Sequence, residues 1–127
     1  MAHVLIVDNN QKTRSELHNG LRKLNFLVDS VGTAQEAERK IGKIPPDIIF
    51  TDILLYDQDG LEFISRLRTG HESIPIISML DAKSHSKAAI KDYSLKRGAS
   101  ASLEKPWNAN EVFSVLQQIF KAAEQKN

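Results

Sequence analysis

The sequence predicts a doubly wound α/β domain, and three observations predict it. Apolar runs of strand length alternate five times with stretches of helical period. The first, third and fourth runs are nearly continuous in apolar residues, as strands covered on both faces must be. No internal repeat, low-complexity tract or linker interrupts the alternation.

The elements follow in order. A first strand over 3–8 carries Val4, Leu5, Ile6 and Val7 and ends on Asp8. Leu17, Leu21 and Leu24 then recur at helical spacing, and 26–31 reads as the second strand. Thr33 with Glu36 forms a capping-box signature ahead of the stripe Ala34, Ala37 and Ile41. Pro45 and Pro46 punctuate the chain before a third strand over 47–52. Phe63, Ile64 and Leu67 mark the third helix, and 74–80 the fourth strand. The segment 83–97 reads as a helix that is polar on most sides, with Ala88, Ala89, Ile90 and Tyr93 as its apolar content. Gly98, after Lys96 and Arg97, suits its C-terminus. A fifth strand over 99–104 precedes the clearest stripe of all: Val112, Val115, Leu116, Ile119 and Phe120. The domain is expected over 1–122, with a polar tail over 123–127.

Composition bounds the function. The chain has 127 residues, 41% hydrophobic and 26% charged, which suits one compact domain with its own core. A formal net charge of +1 gives no reason to expect direct nucleic-acid or anionic-membrane contact. With no cysteine, neither disulfides nor thiolate metal sites can form. The run ending at Asp8 is too short for a secretory core or a membrane span, so a cytoplasmic location is expected.

In an open α/β sheet, ligands bind beyond the carboxyl ends of the strands. The first strand ends in Asp8-Asn9-Asn10, the third in Asp52, and the fifth is followed by Lys105-Pro106. Two carboxylates and an ammonium would therefore converge on one crevice. Close carboxylates repel and favour a hard cation, and Mg²⁺ takes carboxylate and carbonyl oxygens with water. Such an ion neutralises an incoming phosphate while a lysine pairs with its other oxygens, and one carboxylate can act as nucleophile. Singly, each residue reads as a strand-end cap, a turn residue or a solvated charge; the combination at three strand ends carries the chemistry.

The ordered set Val4-Leu5-Ile6-Val7-Asp8, Pro46 through Asp52, Asp59-Gly60, Pro75-Ile76-Ile77, Gly98-Ala99 and Lys105-Pro106 resembles the response-regulator receiver domain of two-component signalling. The resemblance implies a flavodoxin-like fold with a five-stranded parallel sheet in the order 2-1-3-4-5. It implies Mg²⁺ as cofactor, and phosphotransfer from a sensor histidine kinase or phosphotransfer protein, followed by contact with a downstream effector protein or output domain. Such a protein is a signalling phosphoacceptor that assists its own phosphorylation and dephosphorylation, not an enzyme with a foreign substrate. By position Asp52 resembles the phosphoacceptor and Lys105 the phosphate-binding lysine. Asp8, Asn9, Asp52 and the backbone carbonyl of Ile53 resemble the metal ligands. Whether two copies form a homodimer is left open.

Several positions depart from the family pattern. Asn9 stands where a second acidic residue is usual, which predicts weaker Mg²⁺ binding. Leu80 falls where a hydroxyl residue is usual, with Ser78 or Ser84 as substitutes if the slightly long stretch between Pro75 and Gly98 shifts the count. Asp81 follows it as a cap or a repelling charge. Ser102 replaces an aromatic residue and Tyr56 a proline, while Trp107 reads as core packing. These departures support an alternative, a pseudo-receiver that acts as a phosphorylation-independent interaction module.

Other features are weaker. Lys83, Lys87 and Lys91 would form a basic stripe on a helix, usually a solvated face. Asp57 and Asp59 beside Gly60 look like turn and cap chemistry. His3, His18, His71 and His85 lack metal-ligand spacing. Neither dinucleotide nor P-loop fingerprints occur. Leu54 lies where an aspartyl phosphatase would need its second aspartate, two residues past the nucleophile.

Overall fold

The structure is a computed structural model and describes residues 2–125. Strands β1 (His3–Val7), β2 (Leu27–Val31), β3 (Ile48–Asp52), β4 (Ile76–Asp81) and β5 (Ala101–Lys105) alternate with helices α1 (Gln11–Lys23), α2 (Ala34–Lys43), α3 (Gly60–Gly70), α4 (Lys87–Arg97) and α5 (Ala109–Gln125). The sheet is parallel in the order β2-β1-β3-β4-β5, so the strand order reverses between β1 and β3. That is the expected architecture.

Side chains alternate across the sheet with period two, and the two faces bury separate cores. Val4, Ile6, Ile48, Phe50, Ile77, Met79, Ala101 and Leu103 join Leu17 and Leu21 of α1 and the α5 residues Val112, Val115, Leu116 and Ile119. Leu5, Val7, Val31, Ile49 and Ile76 join Ala34, Ala37 and Ile41 of α2 and Phe63, Ile64 and Leu67 of α3 on the other face. The helical stripes thus pack as their spacing predicts, with two exceptions. Leu24 is the C-cap of α1 and 46% exposed, because the chain turns through Asn25 at φ 70° before β2 begins. Phe120, 43% exposed, stacks on Phe26 with ring centroids 6.5 Å apart, closing the turn between α1 and β2 against α5. Trp107 packs partly buried against the first core, as core packing requires.

The polar fourth helix is where expectation and structure differ most. It begins at Lys87 rather than at Lys83, because side chains in the preceding turn satisfy backbone donors locally. Asp81 Oδ1 accepts from Lys83 N at 2.8 Å and Ser84 Oγ from Ser86 N at 3.2 Å, offering the chain an alternative to helix. Lys83 therefore lies outside the stripe shared by Lys87 and Lys91. Ala88, Ala89 and Tyr93 are exposed and Ile90 half-buried; the side chain that α4 buries is Ser94, whose hydroxyl meets that of Ser78 at 2.9 Å. Polar ties hold the far end: Arg97 pairs with Glu62 at 2.9 Å, and Arg68 Nε and Nη2 donate to Gly98 O at 3.0 and 2.8 Å. Gly98, at φ 125°, adopts the left-handed conformation that ends α4.

At the C-terminus α5 continues through 123–125, part of the segment expected as a polar tail; 126 and 127 lie outside the described residues. Among the described residues no helix is long and apolar enough to cross a membrane.

Candidate functional site

The alternation that builds the first core also builds the site. Val4 and Ile6 lead on to Asp8, Ile48 and Phe50 to Asp52, and Ala101 and Leu103 to Lys105. Each chain of apolar residues on that face ends in a charged one at the carboxyl end of its strand. Asp8 is fully buried and Asp52 6% exposed. Lys105 Nζ bridges them, at 2.8 Å from Asp8 Oδ2 and 3.1 Å from Asp52 Oδ2.

Each carboxylate has further partners. Asp8 Oδ1 accepts from Asn10 N at 2.9 Å, and Oδ2 also accepts from Thr13 Oγ1 at 2.7 Å. Asn10 is the N-cap of α1 and accepts from Thr13 N at 3.1 Å, which brings the first turn of α1 against the site. Arg14 Nη1 donates to the Asp8 carbonyl at 2.6 Å. Asp52 Oδ1 accepts from Leu54 N at 3.2 Å.

The shared lysine lowers both carboxyls, and their proton affinities diverge because burial prevails at Asp52 while additional hydrogen bonds prevail at Asp8. Burial, reinforced by the negative charge of Asp8, pushes Asp52 up to about 6 against the opposing pull of Lys105. For Asp8 burial acts upward too, but the Lys105 bond, the Asn10 N–H and the Thr13 hydroxyl outweigh it and hold the carboxyl below its usual range. Asp52 is therefore the more basic carboxylate of the two.

The loop after β3 is tightly closed at its base. Ile53 N donates to Met79 O at 3.2 Å, and Ile53 O accepts from Gly60 N at 3.2 Å. A Cβ on Gly60 would collide with that carbonyl, lying 2.6 Å from Ile53 C and Cα, so the close approach requires glycine. Asp59 is the N-cap of α3, in keeping with its predicted role. Asp57 instead reaches another element: its carboxylate accepts from Ala34 N at 3.1 Å and Gln35 N at 3.0 Å, at the start of α2.

The departures from the family pattern also have places. Asn9 is half-buried beside Asp8, and among the described residues no group of three or more His, Asp or Glu side chains is placed to hold a metal ion. Leu80 is 3% exposed within β4, which runs one residue further than expected, to Asp81. Asp81 is exposed and closes the turn to Lys83, so it caps that turn rather than a helix. Ser78 is committed to Ser94 beneath α4. Ser102 is half-buried. Tyr56 is 86% exposed in the loop beside Asp52.

The sequence brings Asp8, Asn9, Asp52, Ile53 and Lys105 into one region, but it does not single out Thr13 and Arg14. The available signal was the pairing of Asn10 with Thr13, three residues apart at a strand-to-helix junction, which is N-cap spacing.

Two buried carboxylates and a bridging lysine at the strand ends of a 2-1-3-4-5 sheet define the receiver class of α/β switch. The chain belongs to the response regulator receiver domain family, whose model matches residues 4–117. It is 31% identical over 121 residues to the virulence transcriptional regulatory protein PhoP of Salmonella typhimurium, covering 95% of this chain and 53% of that protein. The chain thus spans about half the length of the curated relatives it matches. Among solved structures it resembles a response regulator from Chloroflexus aurantiacus, at 26% identity and TM-score 0.84, covering 93% of this chain and 97% of that one. It also resembles the chemotaxis response regulator CheY4 of Vibrio cholerae, at 27% identity and TM-score 0.83, covering 94% and 98%. Receiver domains of this family are signalling phosphoacceptors of two-component systems; phosphoaspartate and Mg²⁺ are standard for them.

Proposed function

We propose that this chain is a working phosphoacceptor, with Asp52 as the acceptor and Lys105 as the phosphate-binding residue. The observation that carries this reading is the geometry of the two carboxylates around one ammonium: Asp8 is fully buried, with one oxygen taken by Asn10 N and the other by Thr13 and Lys105, whereas Asp52 reaches the surface and accepts from Leu54 N and Lys105. A carboxylate oxygen of Asp52 attacks the phosphorus of an N-phosphorylated histidine. The O–P bond forms as the P–N bond breaks, and the imidazole leaves as the donor's side chain. Lys105, already within reach of both carboxylates, pairs with the transferred phosphoryl oxygens.

The donor set suits Mg²⁺. Asp8 and Asp52 lie close enough to share one ammonium; burial, with a smaller push from the charge of Asp8, disfavours the Asp52 carboxylate, and a hard cation beside it offsets both. Asp8, Asn9, Asp52 and the Ile53 carbonyl would hold the ion; that carbonyl spends one lone pair on Gly60 N and keeps the other. When bound, Mg²⁺ supplies positive charge against the phosphoryl oxygens. With the amide of Asn9 in place of a carboxylate, affinity is lower than a three-carboxylate site would give.

The donor is a sensor histidine kinase or phosphotransfer protein, the location cytoplasmic, and the output a change in contact with an effector protein or output domain. Added phosphoryl charge shifts the balance between surface states. Leu80 favours a second reading, the pseudo-receiver: an apolar side chain fills that position in β4, and the nearby Ser78 hydroxyl is already committed to Ser94.

Intact mass after incubation with a small phosphodonor decides between them. The expected result is a Mg²⁺-dependent gain of one phosphoryl group in the wild type and none in Asp52→Asn. No gain at high Mg²⁺, even with a cognate kinase, would leave the interaction module as the better account.

A further inference from the structure

Asp57 does something that turn chemistry does not explain. Its carboxylate leaves its own loop and takes the first two N–H groups of α2, while Thr33 Oγ1 takes the third, from Glu36 N at 3.2 Å. The helix already has a local N-cap in Thr33, so α2 does not depend on Asp57 to start. The loop gains more from the bond. Its base is fixed by the Leu54–Asp59 bridge and the Gly60 N to Ile53 O bond. Above that base Tyr56 is 86% exposed, and Leu55 packs half-buried against the second core. Asp57 is the polar anchor of that part of the loop. Its burial is slight and acts upward, but the N–H bonds from Gln35 and Ala34 hold the carboxyl below its usual range, so it is charged at neutral pH. It therefore also faces the positive end of the α2 dipole.

The loop it anchors includes the residues next to the acceptor. Leu54 N holds Asp52 Oδ1, and the Ile53 carbonyl lies one residue before it. We propose that Asp57 is a positioning residue that couples the N-terminus of α2 to the acceptor pocket, so that a cation in the pocket and the closure of the Asp57–α2 bonds favour each other. Such coupling is reciprocal: whatever orders the loop strengthens both. The inference rests on the reading that this pocket takes Mg²⁺.

The test compares two losses at one helix terminus, Asp57→Ala and Thr33→Ala. Both remove acceptors from α2, but only the first frees the loop. Amide hydrogen exchange at Ala34 and Gln35 is followed by NMR with and without Mg²⁺, and Mg²⁺ affinity is measured by calorimetry on the whole chain. In the wild type, Mg²⁺ is expected to slow exchange at both amides. In Asp57→Ala exchange there should quicken, the response to Mg²⁺ should vanish, and affinity should fall by about tenfold, as for lost supporting contacts around a metal site. Thr33→Ala should loosen Glu36 yet keep wild-type affinity, and Asp57→Asn, which retains an acceptor oxygen, should recover part of the loss. Wild-type Mg²⁺ affinity in Asp57→Ala, or an equal loss in Thr33→Ala, would overturn the coupling alone. A wild-type protein that binds no Mg²⁺ would overturn the metal reading, and the coupling with it.

Discussion

Lys105→Met is expected to lower stability at pH 7.5, without Mg²⁺, by about 3 kcal/mol, because it leaves two buried carboxylates facing each other with no cation between them. The pH dependence follows from the two shifts. In the wild type Asp8 is held below its usual range mainly by Lys105, against burial, so it contributes stability at neutral pH that is lost as pH falls through its folded value. Asp52 behaves oppositely. Its folded value, about 6, lies above the unfolded one, so it favours folding by proton uptake in acid, and that advantage is lost as pH rises from about 4 through 6. Removing the ammonium raises both carboxyls, so the penalty of Lys105→Met should be largest above pH 7 and shrink towards pH 4. Asp52→Asn should move the other way, gaining about 1–2 kcal/mol above pH 7 and nothing near pH 4, since it removes the charge that burial disfavours. Urea titrations across this range in EDTA read both effects. Superimposable curves for wild type and Lys105→Met would show that the lysine does not compensate the pair. Mg²⁺ should recover part of the Lys105→Met loss, because the ion takes over the neutralisation.

The legible part of this protein is what periodicity controls. Continuous apolar runs and stripes of spacing three and four fix which segments are strands and helices. Alternation along a strand then decides that Asp8, Asp52 and Lys105 share one face, because each follows two core residues at even spacing. What could not be read depends on partners far along the chain or on competition between local bonds. The start of α4 falls at Lys87 rather than Lys83 because Asp81 and Ser84 satisfy backbone donors that a helix would otherwise use. Leu24 fits a stripe but not the core, since the chain leaves the helix there. Thr13 matters through a bond to Asp8, five residues earlier, that depends on how α1 leaves β1. Asp57 serves a helix more than twenty residues earlier, and no window of sequence contains both groups.

Gly60→Ala is expected to cost about 3 kcal/mol and to abolish measurable Mg²⁺ binding, although it adds a single methyl group. The atoms in its way are Ile53 O, C and Cα. A flexible side chain could swing aside, but a backbone fixed on both flanks cannot: Ile53 N is bonded to Met79 O, and Asp52 belongs to the central strand β3. Relief therefore requires the start of α3 or the base of the loop to move. Either movement breaks the Gly60 N to Ile53 O bond and shifts Leu54 N away from Asp52 Oδ1. Gly20→Ala supplies the control. It lies inside α1 with nothing within 4 Å of the new Cβ, so the substitution should stabilise by about 0.5–1 kcal/mol through helix propensity and leave Mg²⁺ binding unchanged. Thermal unfolding and Mg²⁺ calorimetry on both variants test the pair. If Gly60→Ala keeps wild-type stability, the loop base yields more easily than its hydrogen bonds imply. If it is destabilised but still binds Mg²⁺ normally, the Ile53 carbonyl is not a ligand. The combined loss is expected because one contact, Gly60 against Ile53, sets both the start of α3 and the position of the atoms beside Asp52.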